Sequence, residues 1–221
     1  MKSFFIILSV LFVAFSTKAQ LTEGHFSYSI EMKSDNPDMQ MAIGMMQEST
    51  MDLFVLGPKT RVDMKMGTMM GLSTITDQSD KVIMLMNGMI GKNAIVTSVS
   101  ELEKNKADFP EPTLTFIDES KNIKGFTCKK ALLTDADGNE SLFWYTEEIV
   151  VSKKGQSYLS SKVPGFPLEY SINVNGMTLV LTVKDIVKKL DKQQKKFFDL
   201  KIPEGYTEIT LEELQGLGGL Q

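Results

Sequence analysis

Apolar and polar residues alternate along much of this chain, the period-2 pattern of strands that bury one face. From Gly24 to Lys33, Phe26, Tyr28, Ile30 and Met32 alternate with His25, Ser27, Ser29 and Glu31. That predicts a half-buried first strand with His25 on its polar, solvated side. Asn36 then stands as a cap before Pro37, and Met39, Ala42, Ile43 and Met46 follow at helical spacing, so a short helix is expected. The strand pattern returns over Thr50–Leu56, and Gly57-Pro58 turns it. Arg61, Asp63 and Lys65 next alternate with Val62, Met64 and Met66. Two further strands are expected over roughly Leu72–Asp77 and Lys81–Met86, with a polar turn at Gln78-Ser79-Asp80. Short connections of this kind make an antiparallel meander.

The stretch from Asn122 to Tyr170 repeats the theme more strongly. Leu132 and Leu133 run into Thr134-Asp135-Ala136-Asp137-Gly138-Asn139, where the Asp-Gly step supplies the positive φ of a hairpin turn. Ser141–Thr146 returns with aromatic side chains on both faces, which predicts cover on both sides. After a Ser/Lys/Gly-rich loop at 152–162, a third strand enters through Pro164 and Pro167, and Leu168, Tyr170, Ile172 and Val174 alternate again. Asn175-Gly176 fits a type I′ turn, and Met177, Leu179, Leu181 and Val183 form the return strand. Asp185–Phe198 suits a helix or an edge strand. Pro203–Tyr206 closes the fold, and 211–221 reads as a helix start fraying into a flexible, Gly-rich tail. Ala107–Pro112 is the clearest linker. Two halves cut there would each leave open sheet edges, so residues 20–210 are expected to form a single domain with one sheet continued across the linker.

The first nineteen residues stand apart. Met1-Lys2-Ser3 is a basic start, Phe4–Phe15 is almost wholly apolar, and Thr17-Lys18-Ala19 ends in a small residue. This is the layout of a secretory signal peptide, too short in its apolar run for a membrane anchor. Cleavage after Ala19 or Gln20 is expected, which places the mature chain in the periplasm or outside the cell. No cysteine follows the site, so acylation at a new N-terminus is not expected, and no later apolar run approaches the ~20 residues of a membrane-spanning helix. Loss of Lys2 and Lys18 leaves 22 basic against 28 acidic side chains, a net charge of −6. A mildly acidic chain argues against a nucleic-acid partner. Lone Cys128 has no partner for an internal disulfide and reads as a small buried side chain.

Catalytic readings fare poorly. Asp135, Asp137 and Asn139 imitate the start of a calcium loop, but Glu140 replaces the required Gly and Thr146 falls at the twelfth position. His25 is the chain's single histidine, and no Gly-x-Ser-x-Gly turn presents a nucleophile. Glu147 and Glu148 are adjacent and point to opposite faces of a strand. No catalysis, cofactor or metal is therefore expected. The lysines 188, 189, 192, 195 and 196 form a solvated face or meet an anionic headgroup.

Methionine is the conspicuous feature, with thirteen of the fifteen lying between Met32 and Met89. Flexible, polarizable thioethers suit surfaces that accommodate varied apolar ligands. An ordinary core using Met in place of Leu would look the same. Thioether binding of Cu(I) by Met39, Met41, Met45, Met46, Met64, Met66, Met69 and Met70 is a third reading, without His or Cys co-ligands nearby.

Five pieces occur in order between Glu23 and Tyr206: Lys59–Met64; Thr76-Asp77 with Lys81–Met86; Ile123–Lys130; Trp144-Tyr145-Thr146 with Pro164–Glu169; and Ile202–Tyr206. On these the chain resembles the secreted proteins grouped as domain of unknown function 4412. Relatives of the same general kind are the GLPGLI proteins and the periplasmic lipoprotein carriers LolA and LolB. The resemblance implies a mainly β, LolA-like fold: a strongly curved antiparallel sheet or incomplete β-barrel, with one or two short helices on its concave side. In the carriers that cavity takes acyl chains, which implies lipid or a lipidated protein as partner. The lining expected here is Met39, Ile43, Met46, Met64, Met66, Met84, Met86 and Trp144. The resemblance also implies a lid contact for Arg61, whereas its place on a polar strand face suggests an ion pair with Asp63. The expected function is a secreted, non-catalytic binding protein, and the alternative is an interaction module whose barrel is filled by its own side chains.

Overall fold

Strand β1 (Glu23–Lys33) is the seam of the molecule, because it pairs antiparallel on one side with β2 (Thr50–Leu56) and on the other with β11 (Met177–Val187). The computed structural model describes residues 21–77, 79–88, 91–104, 110–151, 162–174 and 176–216. The proposed signal peptide, residues 107–109 of the linker and most of the 152–162 loop lie outside the described residues. From β1 the first meander continues through β2, β3 (Lys59–Met66), β4 (Met70–Thr76), β5 (Lys81–Gly88) and β6 (Gly91–Ser98). The second runs through β7 (Thr113–Ile123), β8 (Phe126–Thr134), β9 (Glu140–Thr146), β10 (Phe166–Val174) and β11. A two-residue strand, β12 (Thr207–Glu208), adds parallel to β6 and brings the sheet to twelve strands. One sheet does span both halves, as expected. Its halves join through β1 and β11 and not across the linker, whose flanking strands β6 and β7 lie far apart in the strand order.

That order forces curvature. From β6 to β7 there are ten strand steps, about 48 Å in a flat sheet. The connection consists of helix α2 (Val99–Lys104) and nine further steps to Thr113. At full stretch it reaches about 40 Å. It must also travel the length of a strand, since ten antiparallel steps leave β6 and β7 pointing the same way. A flat sheet is out of reach, so the sheet curls. The side chains show which way: Tyr170 Oη on β10 lies 3.7 Å from Met51 Sδ on β2, across the intervening β1 and β11. The face bearing Phe26, Tyr28 and Ile30 is therefore the concave one. The result is the mainly β, curved and unclosed sheet with few short helices that the resemblance implied.

The core fills the bend. Phe26, Tyr28, Val55, Leu168, Leu181 and Val183 are buried together, and the rings of Phe26 and Phe166 lie 4.4 Å apart. Tyr28 Oη donates to the Pro167 carbonyl at 2.9 Å, which ties the proline-marked entry of β10 to the seam. Gly138 and Gly176 take positive φ at the two hairpin turns, as the Asp-Gly and Asn-Gly steps predict.

The ambiguous 185–198 stretch is neither helix nor edge strand alone. β11 ends at Val187, and a 3-10 turn forms at Gln194–Phe198. From there the chain is a strap across the outer face of the first meander. Leu190 and Phe198 pack on Phe54, and Leu200, Ile202 and Tyr206 pack on Ile83, Leu85 and Ala94. The helix start expected at residue 211 is present, and residues 217–221 of the expected tail lie outside the described residues. Helix α3 (Leu211–Gly216) has Leu214 fully buried against Met86 and Ile95. A leucine that removes its whole side chain from water holds the segment down.

Burial pushes the phenols of Tyr28 and Tyr170 upward, and it raises the Cys128 thiol to about 11. The folded chain holds these protons more tightly than the unfolded chain does. Their contribution is complete below the unfolded values and is lost as pH rises through the folded ones. The urea midpoint should therefore be flat near neutrality and fall from about pH 9 upward, where free thiols and then phenols ionise. Cys128→Ala should remove the earliest part of that fall.

Candidate functional site: the concave face

Strand register brings the methionines together. Met51, Met64, Leu72 and Met86 are successive cross-strand partners on β2 to β5, and so are Leu53, Val62, Thr74 and Met84 in the next row. Met66 and Met70 form a third pair toward the rim. Met51 and Met86 are buried, while Leu53, Val62, Met64, Met66, Leu72 and Met84 keep part of their side chains open. The floor is a row of half-open apolar groups on neighbouring strands, all facing the inside of the bend. Of the eight expected lining residues, Met64, Met66, Met84 and Met86 share this floor.

Met39, Ile43 and Met46 are half-buried at its rim. Met39 ends the 3-10 turn Pro37–Met39, Ile43 lies in helix α1 (Gln40–Met45) and Met46 is that helix's C-cap; the segment is entered through the Asn36 cap, which accepts from the Asp38 amide at 3.0 Å. Gly67 explains why this segment can dock there. It takes φ 53°, and a Cβ would stand 2.2 Å from the Met45 carbonyl oxygen. Ser49 completes the joint, donating to the Met46 carbonyl at 2.6 Å and accepting from the Gly67 amide at 3.0 Å. The thioethers considered for Cu(I) are spread out: Met41 is 81% exposed on the helix, whereas Met64 faces the concave floor.

Trp144 belongs elsewhere. Its cross-strand partners are Lys130 and Glu169, while Phe143 pairs with Ala131 and Tyr170. Beside the bulge between Pro167 and Glu169, Trp144 is half-buried and packs against the core cluster that holds Phe26, Cys128 and Phe166. Its ring lies 4.3 Å from the Lys121 ammonium and 5.4 Å from that of Lys130, and Lys121 also bridges to Glu169 at 2.7 Å.

Arg61 is on the outer face, paired with Phe54. Its Nε donates to both Asp63 oxygens at 2.7 and 2.9 Å, its Nη1 donates to the Phe197 carbonyl at 2.9 Å, and its guanidinium stacks 5.2 Å from the Phe197 ring. The ion pair read from the strand pattern is present, and what Arg61 ties down is the strap, not a lid over the concave face. Arg61→Ala should cost about 1–2 kcal/mol through the lost charge-assisted bonds. Urea unfolding checks the loss, and faster proteolysis within 190–206 would locate it.

His25 is partnered rather than solvated, which corrects the expectation for it. Its Nε2 lies 2.7 Å from Asp52 Oδ1, and its ring stacks on Phe54 at 4.2 Å. Ser27 Oγ lies 3.2 Å from the same nitrogen and donates to Asp52 at 2.7 Å. A proton relay from serine to carboxylate uses both ring nitrogens. Here one nitrogen meets both groups, so the cluster is a set of hydrogen bonds on the outer face. An open hollow of ≈ 280 Å³ lies beside it, lined by Asp52, Asp63, Lys65, Ser73, Asn87 and Tyr206 among others. Cys128 is fully buried and its raised thiol stays protonated at neutral pH. The five strap lysines are exposed, with Lys195 bridged to Glu23 at 3.0 Å. Among the described residues no His/Cys/Asp/Glu group could hold a metal ion, and no helix is long and apolar enough to cross a membrane.

Sequence reading missed Leu72, Ile95, Tyr170 and Leu214 as parts of this face. The last had a signal: Thr210 and Glu213 have the spacing of a capping box around an apolar turn.

Residues 73–202 match the family described as N-glycanase peptide, N-terminal domain. No curated protein matches the sequence. Two crystal structures of PNGF-II superpose with TM-scores of 0.51 and 0.53 at 16% and 17% identity, over 88% and 89% of this chain. They are matched over 32% and 33% of their own length, so the chain spans about a third of that protein. The Mycobacterium tuberculosis lipoprotein LppX is a looser likeness, with a TM-score of 0.37 and 11% identity over 77% of this chain and 89% of its own. Likeness at these identities speaks for fold, and in the case of LppX it carries no argument.

Proposed function

This chain belongs to the family of N-glycanase N-terminal domains, and from that premise we propose that it is a non-catalytic binding module whose concave face takes an apolar ligand. The ligand class is a lipid acyl chain, free or carried by a lipidated partner. The observation that supports this reading most is the half-open floor of Leu53, Val62, Met64, Leu72 and Met84, on the inside of a curved sheet. Apolar groups left half in water on a concave wall lose that exposure when an apolar chain lies on them, at about 25 cal/mol per Å². Thioethers let one floor fit several chain shapes. The single-nitrogen geometry at His25 supports the absence of catalysis. The basic start and short apolar run of residues 1–19 have the layout of a signal peptide, which supports a place outside the cytoplasm.

A second reading is an interaction module that serves a larger assembly. It is favoured by the match to about a third of PNGF-II and by Leu214, which already fills one end of the concave face. A titration of the delipidated mature chain with dansyl-undecanoic acid separates the two. Saturable binding near one per chain, competed by oleate, supports the first reading. Probe fluorescence no greater than with an unrelated protein would leave the second.

A further inference from the structure

We infer that the ligand floor continues beneath the C-terminal helix, α3, and that this helix is a displaceable plug standing where part of an apolar chain would lie; the inference rests on the reading above. The helix is self-contained. Thr210 Oγ1 accepts from the Glu213 amide at 3.1 Å, and Glu213 Oε2 accepts from the Thr210 amide at 2.8 Å. This reciprocal pair holds the first turn in shape without help from the sheet.

Its attachment is at the edge of the sheet. Among the described residues, the only backbone pairing that holds it is at the β6 edge, where Thr207 and Glu208 meet Asn93 and Ala94 and the Ile209 amide donates to the Ala94 carbonyl at 2.9 Å. Over residues 207–214, Leu214 is fully buried, with Ile209 and Leu211 half-buried beside it. A short segment paired at a sheet edge opens more readily than the core does.

What lies beneath is more of the same floor. Leu72 and Met86 continue the row of Met51 and Met64, and Met84 and Ile95 continue the row of Leu53 and Val62. Leu72, Met84, Met86 and Ile95 are also the residues that receive the plug. From β2 to β5 is three strand steps, about 14 Å, so a chain longer than that meets Leu214 and must move it. Leu214 is itself an aliphatic group lodged among thioethers, chemically a stand-in for an acyl segment.

The test compares the full mature chain, the chain ending at Tyr206, and Leu214→Glu. Each is titrated with dansyl-undecanoic acid and competed with octanoate or stearate. Both altered forms should bind stearate about tenfold more tightly than the full chain, because the docked plug reduces the competent fraction, while octanoate affinity stays unchanged. In the full chain, stearate should speed hydrogen exchange at residues 209–216. Equal stearate affinities in all folded forms, or slower exchange at 209–216 with ligand, would overturn the plug alone. No probe binding in any form would overturn the concave-face reading and the plug with it. If the shortened chain fails to fold, Leu214→Glu, whose altered side chain leaves with the helix, decides by itself.

Discussion

Phe26→Ala should cost about 3–5 kcal/mol, the range for large aromatic truncations in a close-packed core. Phe26 is fully buried, sits on the strand that joins both meanders, and packs its ring 4.4 Å from that of Phe166. A cavity there weakens β1 against β11 as well as β10 against the seam. Since domains of this size hold on the order of 5–15 kcal/mol in total, the variant should unfold at much lower urea or not accumulate folded. Because β1 is shared, the two meanders should be lost in one transition, followed by far-UV circular dichroism and by Trp144 fluorescence. Non-coincident curves, with Trp144 in the second meander unfolding apart from the rest, would show that the seam does not couple the halves.

The second large effect is on binding. Met64→Glu places a carboxylate in the middle of the half-open floor, between Met51 and Leu72 in register. Laying an acyl chain there would then require desolvating a charge without a partner. Affinity for dansyl-undecanoic acid should fall about tenfold or more, which is ~1.4 kcal/mol or more. Stability should change much less than in Phe26→Ala, because the position stays in contact with water. Met64→Leu keeps the apolar surface and should stay near the parent value.

Local alternation was enough to find β1 to β5, the Asp-Gly and Asn-Gly hairpins, and the curved, unclosed sheet that the resemblance implied. Strand β6 escaped because Asn93, Ala94 and Ile95 are buried in succession. The strap covers one face and α3 the other, so the period-2 signal vanishes. β7 escaped for the opposite reason. It is a sheet edge with a bulge between Ile117 and Ser120 and mostly exposed side chains, which leaves little apolar pattern to read. Pairing of β1 with β11 joins residues about 150 apart, as with Ser29 and Thr182. No local rule reaches that far.

The same limit shaped the site. Met64, Met66, Met84 and Met86 fell on one face because strand parity is legible in each strand, and register then aligns the strands. Trp144 packs on the core away from that floor, because β9 lies four strands from β2 in the sheet. Arg61 was right as an ion pair, yet its tie to Phe197 depends on a strap arriving from 136 residues away. Leu214 was passed over because the glycines around it suggested fraying, while its capping box pointed to an ordered turn.

Native mass spectrometry of the mature chain, purified without detergent from the cells that make it and followed by solvent extraction of whatever it carries, decides whether the concave face holds an acyl chain. On the acyl-chain reading, a near-stoichiometric mass increment is expected, assigned by extraction to an acyl-bearing lipid and lost in Met64→Glu. A bare polypeptide mass from fresh material, in a form that also ignores added dansyl-undecanoic acid, would contradict it.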